Sequence, residues 1–591
     1  MEKRTILAII LTFLVIILWG VIQSKFFPSA PIKEVKKEEI APAEKVVEKE
    51  IDIKETKPKP QKEAKLPSKT KVVPKKEVSI ETQNYWAIFT NEDARLKHFK
   101  LKKYEDRVEE SPITIKLTQF VEDILGKKIE EPKKPEPLDL VNTGEKEGLP
   151  LGISFITALP SRNRVVPTSS DGNWEVEKEQ LRLVNAGEKG EITFAKSLEN
   201  GWRVLKRYRF SSDQYAIDLE VEVQNNSSKE IISQLELEWI GKIELAKLAD
   251  EGNKDYGLKS VFFKNDKVET KDLGGTGSSG CTPGCTPGCE SHKTKIEPFE
   301  TSDKGDIRWY TFTGEYFTAL LIPPPTEKNI TLSVKGDEKN LLRASVITSP
   351  FSIPSNQAVK IPYRIYMGPK EEGQLKTLGV NAEKLVDFGW FTVVAKPLIW
   401  LLKLTNTVTK NFGIDIIILS ILIKIIFLPL TQISFKSMKE MQKVQPEMAR
   451  LKATYKNDKA RLQQEMMLLY KRRKINPMSG CLPMAIQIPV FIALYNALQY
   501  TIEMRHAPFF LWIKDLAAKD PIYITPLIMG ATMVIQQKMT PTAADPAQAK
   551  MFMLMPVMFT FLFLNFPSGL VLYWLINNVL SIAHQYYLNK K

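Results

Sequence analysis

Two hydrophobic patterns divide this chain. Long apolar runs occupy residues 5–22 and recur from residue 412 to the C-terminal region, whereas the middle is polar and alternates. A run of about 20 apolar residues crosses a bilayer as a helix, because each residue adds about 1.5 Å. The pattern therefore predicts an α-helical polytopic membrane protein, with six spans at 5–22, 412–435, 481–500, 521–537, 551–566 and 570–587.

The middle of the chain, from 79 to 368, has a period of two. Runs at 202–210, 215–223 and 234–239 alternate apolar and polar residues. Alternation broken by turn residues is typical of antiparallel strands, so we predict one large all-β domain. By contrast, residues 28–77 are rich in Lys, Glu and Pro with almost no aromatic residue, which predicts a solvated tether.

These patterns predict the domain organisation. The N-terminal span follows Met-Glu-Lys-Arg, and we interpret it as an uncleaved signal anchor, with a cleaved signal peptide as the alternative. Residues 381–406 carry aromatic and apolar positions at helical spacing, which favours an amphipathic helix in the membrane interface, with core packing as the alternative. The predicted parts are an anchor at 1–23, a tether at 24–78, a β domain at 79–375, an interfacial helix at 376–406 and a helical core at 407–591.

One basic residue, Lys424, interrupts the span at 412–435. A charge near the centre of a spanning helix costs on the order of 3 kcal/mol, so a wet cavity or an acidic partner is expected beside it. On a continuous helix, Ser420 and Thr431 share its face. The alternative is that Lys424 snorkels to the cytoplasmic headgroups.

A basic stretch at 436–474 follows this span. Its turn signal at 456–458 predicts two antiparallel helices, and the positive-inside rule places this hairpin in the cytoplasm. Flexible methionine thioethers suit varied apolar partners, although they could equally hold the two helices together. The methionines are Met438, Met441, Met448, Met466 and Met467.

The net charge of +14 would suit nucleic acid or an anionic surface. No compact basic-aromatic nucleic-acid motif accompanies the charge, which concentrates beside the apolar spans, so a lipid bilayer explains it better. With the N-terminus in the cytoplasm, six spans also place the C-terminus in the cytoplasm. Residues 24–406 then lie on the opposite side of the membrane. Cys281, Cys285 and Cys289 lie in a Gly/Ser/Pro-rich insert; the spacing matches no strong zinc signature, so we expect no metal or other cofactor.

Several ordered motifs resemble the YidC family of membrane protein insertases. They are KIIFLPLT (424–431), QPEM and QQEMMLLYK (445–471), NPMSGCLPMAIQIPVFIALYNAL (476–498), APFFLWIKDL (507–516), DPIYITPLIMG (520–530) and FPSGLVLYW (566–574). The anchor, tether and exported domain match the Gram-negative branch. The resemblance implies a protein of the bacterial inner membrane, with a five-helix insertase core and a periplasmic β-supersandwich similar to sugar mutarotases.

The resemblance also implies a hydrophilic groove, closed towards the periplasm and open to cytoplasm and lipid. Its basic residue is Lys424, where better-known members carry Arg. Lysine keeps the positive charge but lacks the planar guanidinium that binds a carboxylate through two hydrogen bonds. By helical position or by motif match, the polar groove residues are Ser420, Thr431, Gln487 and Asn577. The surface along which the substrate slides comprises Pro483, Ile488, Pro489, Phe491, Pro556, Leu562, Leu564, Tyr573 and Trp574.

The implied function is insertion and folding of nascent membrane proteins, alone or with the Sec translocon. Ribosome or signal recognition components are expected at the hairpin. No nucleotide-binding GxxxxGK[ST] loop is present, and no enzymatic activity is expected. The alternatives are a secondary transporter using Lys424, although no internal repeat is found, a glycan-binding periplasmic module, and a structural scaffold.

Overall fold

The computed structural model describes residues 73–125, 134–157, 164–165, 173–198, 201–243, 259–271, 298–456, 458–473, 482–539 and 546–590. The predicted anchor, nearly all of the tether and the cysteine insert lie outside them. All the described residues belong to one compact unit, Lys71–Lys591. Within it, a β domain precedes a helical core.

The described strands, in chain order, are β1 (Glu77–Glu81), β2 (Tyr85–Thr90), β3 (Arg95–Glu105), β4 (Pro137–Asp139), β5 (Gly152–Thr157), β6 (Arg164–Val165), β7 (Glu175–Val176), β8 (Gln180–Arg182), β9 (Lys189–Ser197), β10 (Trp202–Ser211), β11 (Ala216–Asn225), β12 (Ile231–Lys242), β13 (Lys259–Lys264), β14 (Lys267–Lys271), β15 (Phe299–Gly305), β16 (Ile307–Thr313), β17 (Phe317–Ile322), β18 (Ile330–Gly336), β19 (Leu341–Ile347), β20 (Phe351–Ile353) and β21 (Ala358–Pro369). The three runs that alternate in sequence form β10, β11 and β12, which confirms the strand prediction at those positions.

The strands form three sheets. Their orders are β4-β3-β2-β1-β8, β14-β13-β16-β17-β21-β11-β10-β9-β7, and β15-β18-β19-β12-β5-β6, with β20 paired to β12. All pairings are antiparallel except that of β1 with β8. The sheets share one apolar core: Phe155 of the seven-stranded sheet meets Trp202 of the nine-stranded sheet, with ring centroids 5.4 Å apart. Each large side chain buried in this way contributes about 1.5–3 kcal/mol.

A buried lysine, Lys206, fastens β10 to two tight turns. Its Nζ donates hydrogen bonds to the carbonyls of Ala94 (2.6 Å) and Leu151 (2.7 Å), and both of these residues have positive φ. Burial holds the pKa of the Lys206 amine well below its ordinary value. The two hydrogen bonds satisfy carbonyls that lie outside any strand ladder.

The described helices are α1 (Pro112–Leu125), α2 (Glu372–Lys376), α3 (Thr392–Thr409), α4 (Phe412–Ile426), α5 (Leu428–Thr454), α6 (Lys459–Arg472), α7 (Leu482–Tyr500), α8 (Ile524–Met539), α9 (Pro546–Phe563) and α10 (Ser568–Lys590). Helix α4 starts where it does because the Asn411 side chain accepts the amide hydrogens of Gly413 and Ile414. Gly413 is required there, since a Cβ would lie 2.0 Å from the Phe509 ring.

The prediction of one continuous helix over 412–435 is wrong. Helices α4 and α5 meet at an angle of 61° around Phe427. Pro429 lies in the first turn of α5, where its missing N–H is tolerated and where a continuous helix would lose a hydrogen bond. By length and composition, this bent pair qualifies as a membrane span, whereas no single helix among the described residues does so.

The predicted interfacial helix has two different faces. Residues 382–385 and 389–391 form 3₁₀ turns, and α3 follows. Ala395, Ile399 and Leu402 of α3 are buried in clusters shared with α4 and α7. Val393, Trp400, Leu404 and Val408 lie exposed on the opposite face. Core packing, the alternative interpretation, therefore accounts for one face, and the other face is apolar and is not covered by any described residue.

Candidate functional site

Lys424 lies in the last turn of α4 and faces α10. Its Nζ donates a hydrogen bond of 2.6 Å to the Ser581 hydroxyl, which in turn donates to the Asn577 carbonyl at 2.7 Å. The ammonium is therefore held by a neutral hydroxyl on a neighbouring helix.

A row of polar groups extends from this contact along α10. Asn577 donates to the Tyr573 carbonyl at 2.9 Å, and Gln487 of α7 donates to the Tyr573 hydroxyl. Positions 573, 577 and 581 are four residues apart, so they lie on one face of the helix. The row brings together the predicted residues Lys424, Gln487 and Asn577.

Ser420 and Thr431 do not face an open groove, which corrects their predicted role. Ser420 is fully buried and donates to the Ile416 carbonyl at 2.7 Å. Thr431 is also buried and donates to the Phe427 carbonyl at 2.8 Å. Each hydroxyl is satisfied by its own backbone. The prediction assumed a straight helix through Lys424, and the bend at Phe427 separates Thr431 from that face.

The predicted substrate surface is only partly exposed. Ile488 of α7 is exposed, Pro489, Leu562 and Leu564 are half-buried, and Pro483 lies in the first turn of α7. Pro556 is buried. Phe491 and Trp574 pack edge to face with ring centroids 5.3 Å apart, within a cluster that also holds Phe559, Phe563 and Phe566. This cluster joins α7, α9 and α10.

Tyr573 requires a correction, because its side chain is 0% exposed. It receives the hydrogen bond from Gln487 and therefore positions α7 against α10, without a surface for a substrate. The exposed apolar residues of α9 were missed by sequence reasoning, which had selected only Pro556, Leu562 and Leu564 in this region. They are Met553, Leu554, Val557, Met558 and Phe561.

The hairpin of α5 and α6 has its own small core. Asp458 caps α6 by accepting the Arg461 amide hydrogen. Met448 is buried with Val444 and Leu469, and Met441 and Met466 pack against them. The alternative reading, in which methionines hold the two helices together, therefore describes these three. Met467 is 54% exposed, and Met438 is half-buried.

The loop between α7 and α8 closes one end of the helical core. Asp520 accepts the Thr525 amide hydrogen at 2.7 Å, and the Ser568 hydroxyl donates to the Asp515 carbonyl at 2.8 Å. Burial raises the pKa of the Asp515 carboxyl to about 6. Burial, with a smaller effect from the neighbouring Arg505 charge, lowers the pKa of His506 to about 3. This end is therefore ordered by hydrogen bonds between side chains and the backbone.

The chain was compared with known proteins on this basis. The family model described as 60Kd inner membrane protein matches residues 404–591, and the one described as YidC periplasmic domain matches residues 127–401. A membrane protein insertase YidC from Syntrophus aciditrophicus is 38% identical over 100% of both chains. The chain belongs to the YidC family.

A second YidC relative agrees with this. This relative, from Geobacter sulfurreducens, is 42% identical and covers 69% of this chain and 72% of its own. A solved structure of an active YidC insertase is 19% identical, with a TM-score of 0.35, over 87% of this chain and 93% of its own. As a YidC-family member, this chain is an inner membrane protein with a large β-rich periplasmic domain and a helical C-terminal core.

Proposed function

We propose that this chain inserts nascent membrane proteins and helps them fold, using the polar row around Lys424 as the client's entry site. Membership of the YidC family makes it an insertase and not an enzyme. The observation that carries the proposal is the contact between Lys424 and Ser581. A hydroxyl holds the ammonium in place without neutralising it, so the charge remains available to a client.

In the proposed mechanism, the acidic or polar flank of a nascent span enters the groove from the cytoplasm. The carboxylate pairs transiently with Lys424 while the apolar part of the client leaves into lipid. Apolar burial drives the reaction with about 25 cal/mol per Å². The membrane potential adds about 2.3 kcal/mol per negative charge for each 100 mV. The protein lowers the barrier for the polar flank only.

Two apolar faces support a lateral exit for the client. Ile488 on α7 and the exposed residues of α9, which include Met558 and Phe561, have no covering neighbours among the residues that the structure describes. A transmembrane segment buries its apolar surface equally well against lipid and against the apolar faces of α7 and α9. It can therefore pass from these helices into lipid at little cost. The loop from α7 to α8 closes the other end and supports a groove that is shut towards the periplasm.

The number of membrane spans and the location of the termini are part of the same proposal. We infer six spans, five of them in the insertase core, with both termini in the cytoplasm and residues 24–406 in the periplasm. The bent pair of α4 and α5 accounts for the span that carries Lys424. The exposed apolar face of α3, with Trp400 on it, supports an interfacial position for 376–406. The layered sheets of the β domain are compatible with a supersandwich.

The proposed partners follow from the surfaces. Nascent membrane proteins are the clients, and the Sec translocon is the proposed neighbour in the membrane. The hairpin presents basic side chains and the exposed Met467, which suit ribosome or signal recognition components.

Depletion and complementation in cells tests this function, with insertion of an acidic-flanked reporter as the readout. Lys424→Glu places a second negative charge opposite the client and is expected to lower insertion by at least tenfold, whereas Lys424→Arg should insert normally. Lys396→Glu is the control, since it reverses an exposed lysine that pairs with Glu372 at 3.1 Å. Full rescue by Lys424→Glu would defeat the proposal.

A further inference from the structure

The polar row on α10 continues one step beyond the Lys424 contact. Asn577, Ser581 and His584 follow one another at positions i, i+4 and i+7, so they share one helix face. The first two have their hydrogen bonds within the protein, as Asn577 donates to Tyr573 and Ser581 donates to Asn577. His584 ends the row and differs from both.

Within the part of the chain that the structure describes, neither ring nitrogen of His584 has a hydrogen-bond partner, and both nitrogens are buried. The ring packs against Phe435 at the start of α5, with centroids 5.6 Å apart and an angle of 71° between the planes. Among the described residues, it is the only side chain for which two buried polar atoms lack partners. Buried polar atoms in native proteins are nearly always paired, so this imidazole points to a partner that the described residues do not supply.

The chemistry of the ring defines that partner. A neutral imidazole has one donor and one acceptor nitrogen, whereas the Lys424 ammonium only donates. Peptide and side-chain amides likewise combine a donor with an acceptor. A client segment that has not yet formed its helix carries unpaired peptide groups, which are costly to bury in hydrocarbon. His584 therefore matches uncharged amides, and Lys424 matches carboxylates.

We propose that His584 is a specificity-determining residue of the groove, which binds the uncharged amide groups of a client's polar flank. This inference rests on the proposed insertase function and adds a second class of client group to it. Phe435 covers the ring from α5, so a client reaches His584 when that end of α5 moves at the bend around Phe427. Lys424 bonds to Ser581, which precedes His584 by three residues on the same face of α10, so the two groups belong to one site.

The test uses the full chain in membranes from depleted cells and two reporter clients that differ only in an Asn or an Asp in the flank. His584→Phe keeps an aromatic ring against Phe435 and removes both nitrogens, whereas His584→Gln restores a donor and an acceptor. We expect His584→Phe to lower insertion of the Asn client by about tenfold, the effect of one unmade hydrogen bond to a buried group. The Asp client should lose less, and His584→Gln should insert both clients normally.

Tyr586→Phe is the matched control, since it removes one hydroxyl from an exposed position on the same helix and should change neither client. The inference is overturned if His584→Phe inserts the Asn client as the wild type does, or if His584→Gln is as impaired as His584→Phe at equal protein level. The Asp client with Lys424→Glu separates the two proposals. If Lys424→Glu lowers insertion of the Asp client while His584→Phe has no effect on either client, the proposed insertase function stands and the inference about His584 is wrong. If both clients insert equally well without the protein, both proposals are wrong.

Discussion

Lys424 and its neighbours show how an apolar helix holds a charge without neutralising it. The ammonium meets a serine hydroxyl that is already bonded to its own helix, so the pair is ordered on both sides. A carboxylate in that place would stabilise the ammonium more strongly and would compete with an acidic client. The neutral partner is therefore the feature that suits transient binding.

Asp515 gives the closed end of the core a dependence on pH. Because burial raises its pKa from 3.8 to about 6, the folded protein binds this proton more tightly than the unfolded chain does. The protonated Asp515 carboxyl contributes about 2–3 kcal/mol to the free energy of unfolding. This contribution is complete below pH 4 and is lost as the pH rises through about 6. Asp515→Asn should remove this dependence.

Hydrogen exchange of the Ala517 and Ser568 amides between pH 4 and pH 7 measures the effect, since both amides bond within this loop. Glu338→Gln, which changes an exposed carboxylate of the β domain, is the control. Equal pH dependence in the wild type and Asp515→Asn would contradict the assignment.

Sequence reasoning found Lys424, because a charge inside an apolar run carries its own signal. It misjudged Tyr573, because a motif match identifies a residue without fixing the direction of its side chain. Ser581 and His584 were missed, although both lie on the face that Asn577 begins. Their importance depends on α4 and α5 packing against that face, and one helix alone does not contain this information.

At the scale of elements, the bend at Phe427 separates α4, which carries Lys424, from the hairpin helix α5. The apolar pattern continues across the bend, so hydropathy alone predicted one helix. Pro429 was the local signal for the break. The start of α6 at Asp458 was predictable, because Asp is a good N-cap residue.

The hairpin contains one methionine that is part of its core, Met448, and one that is exposed and can contact a client, Met467. Met448→Ala should destabilise the hairpin by about 2–3 kcal/mol, because its side chain fills the core between α5 and α6. Met467→Ala should change hairpin stability by less than about 0.5 kcal/mol and should weaken crosslinking to a stalled nascent chain. Hydrogen exchange of the α6 amides measures the first effect. Unchanged protection in Met448→Ala would contradict the packing account.

At the scale of the whole molecule, the β domain and the helical core contact each other through the closing loop. Arg505 donates to the Glu105 carbonyl at 2.7 Å, and its guanidinium lies 5.1 Å from the Phe317 ring centroid. The Tyr316 hydroxyl reaches the Leu498 carbonyl at 3.4 Å. The two parts were predictable from their different hydrophobic periods. Their contact was not, because its residues are far apart in sequence and carry no shared pattern.

The central claim is that Lys424 pairs with the polar flank of a client during insertion, and a charge exchange between the two tests it most directly. Insertion is measured for wild type and Lys424→Glu, each with a reporter whose flank carries Asp or Lys. We expect Lys424→Glu not to insert the reporter with the Asp flank. With the Lys flank, we expect it to insert at least fivefold more than the separate effects of the protein change and the flank change would predict together. Effects of the two changes that simply add, with no recovery in the exchanged pair, would contradict the account.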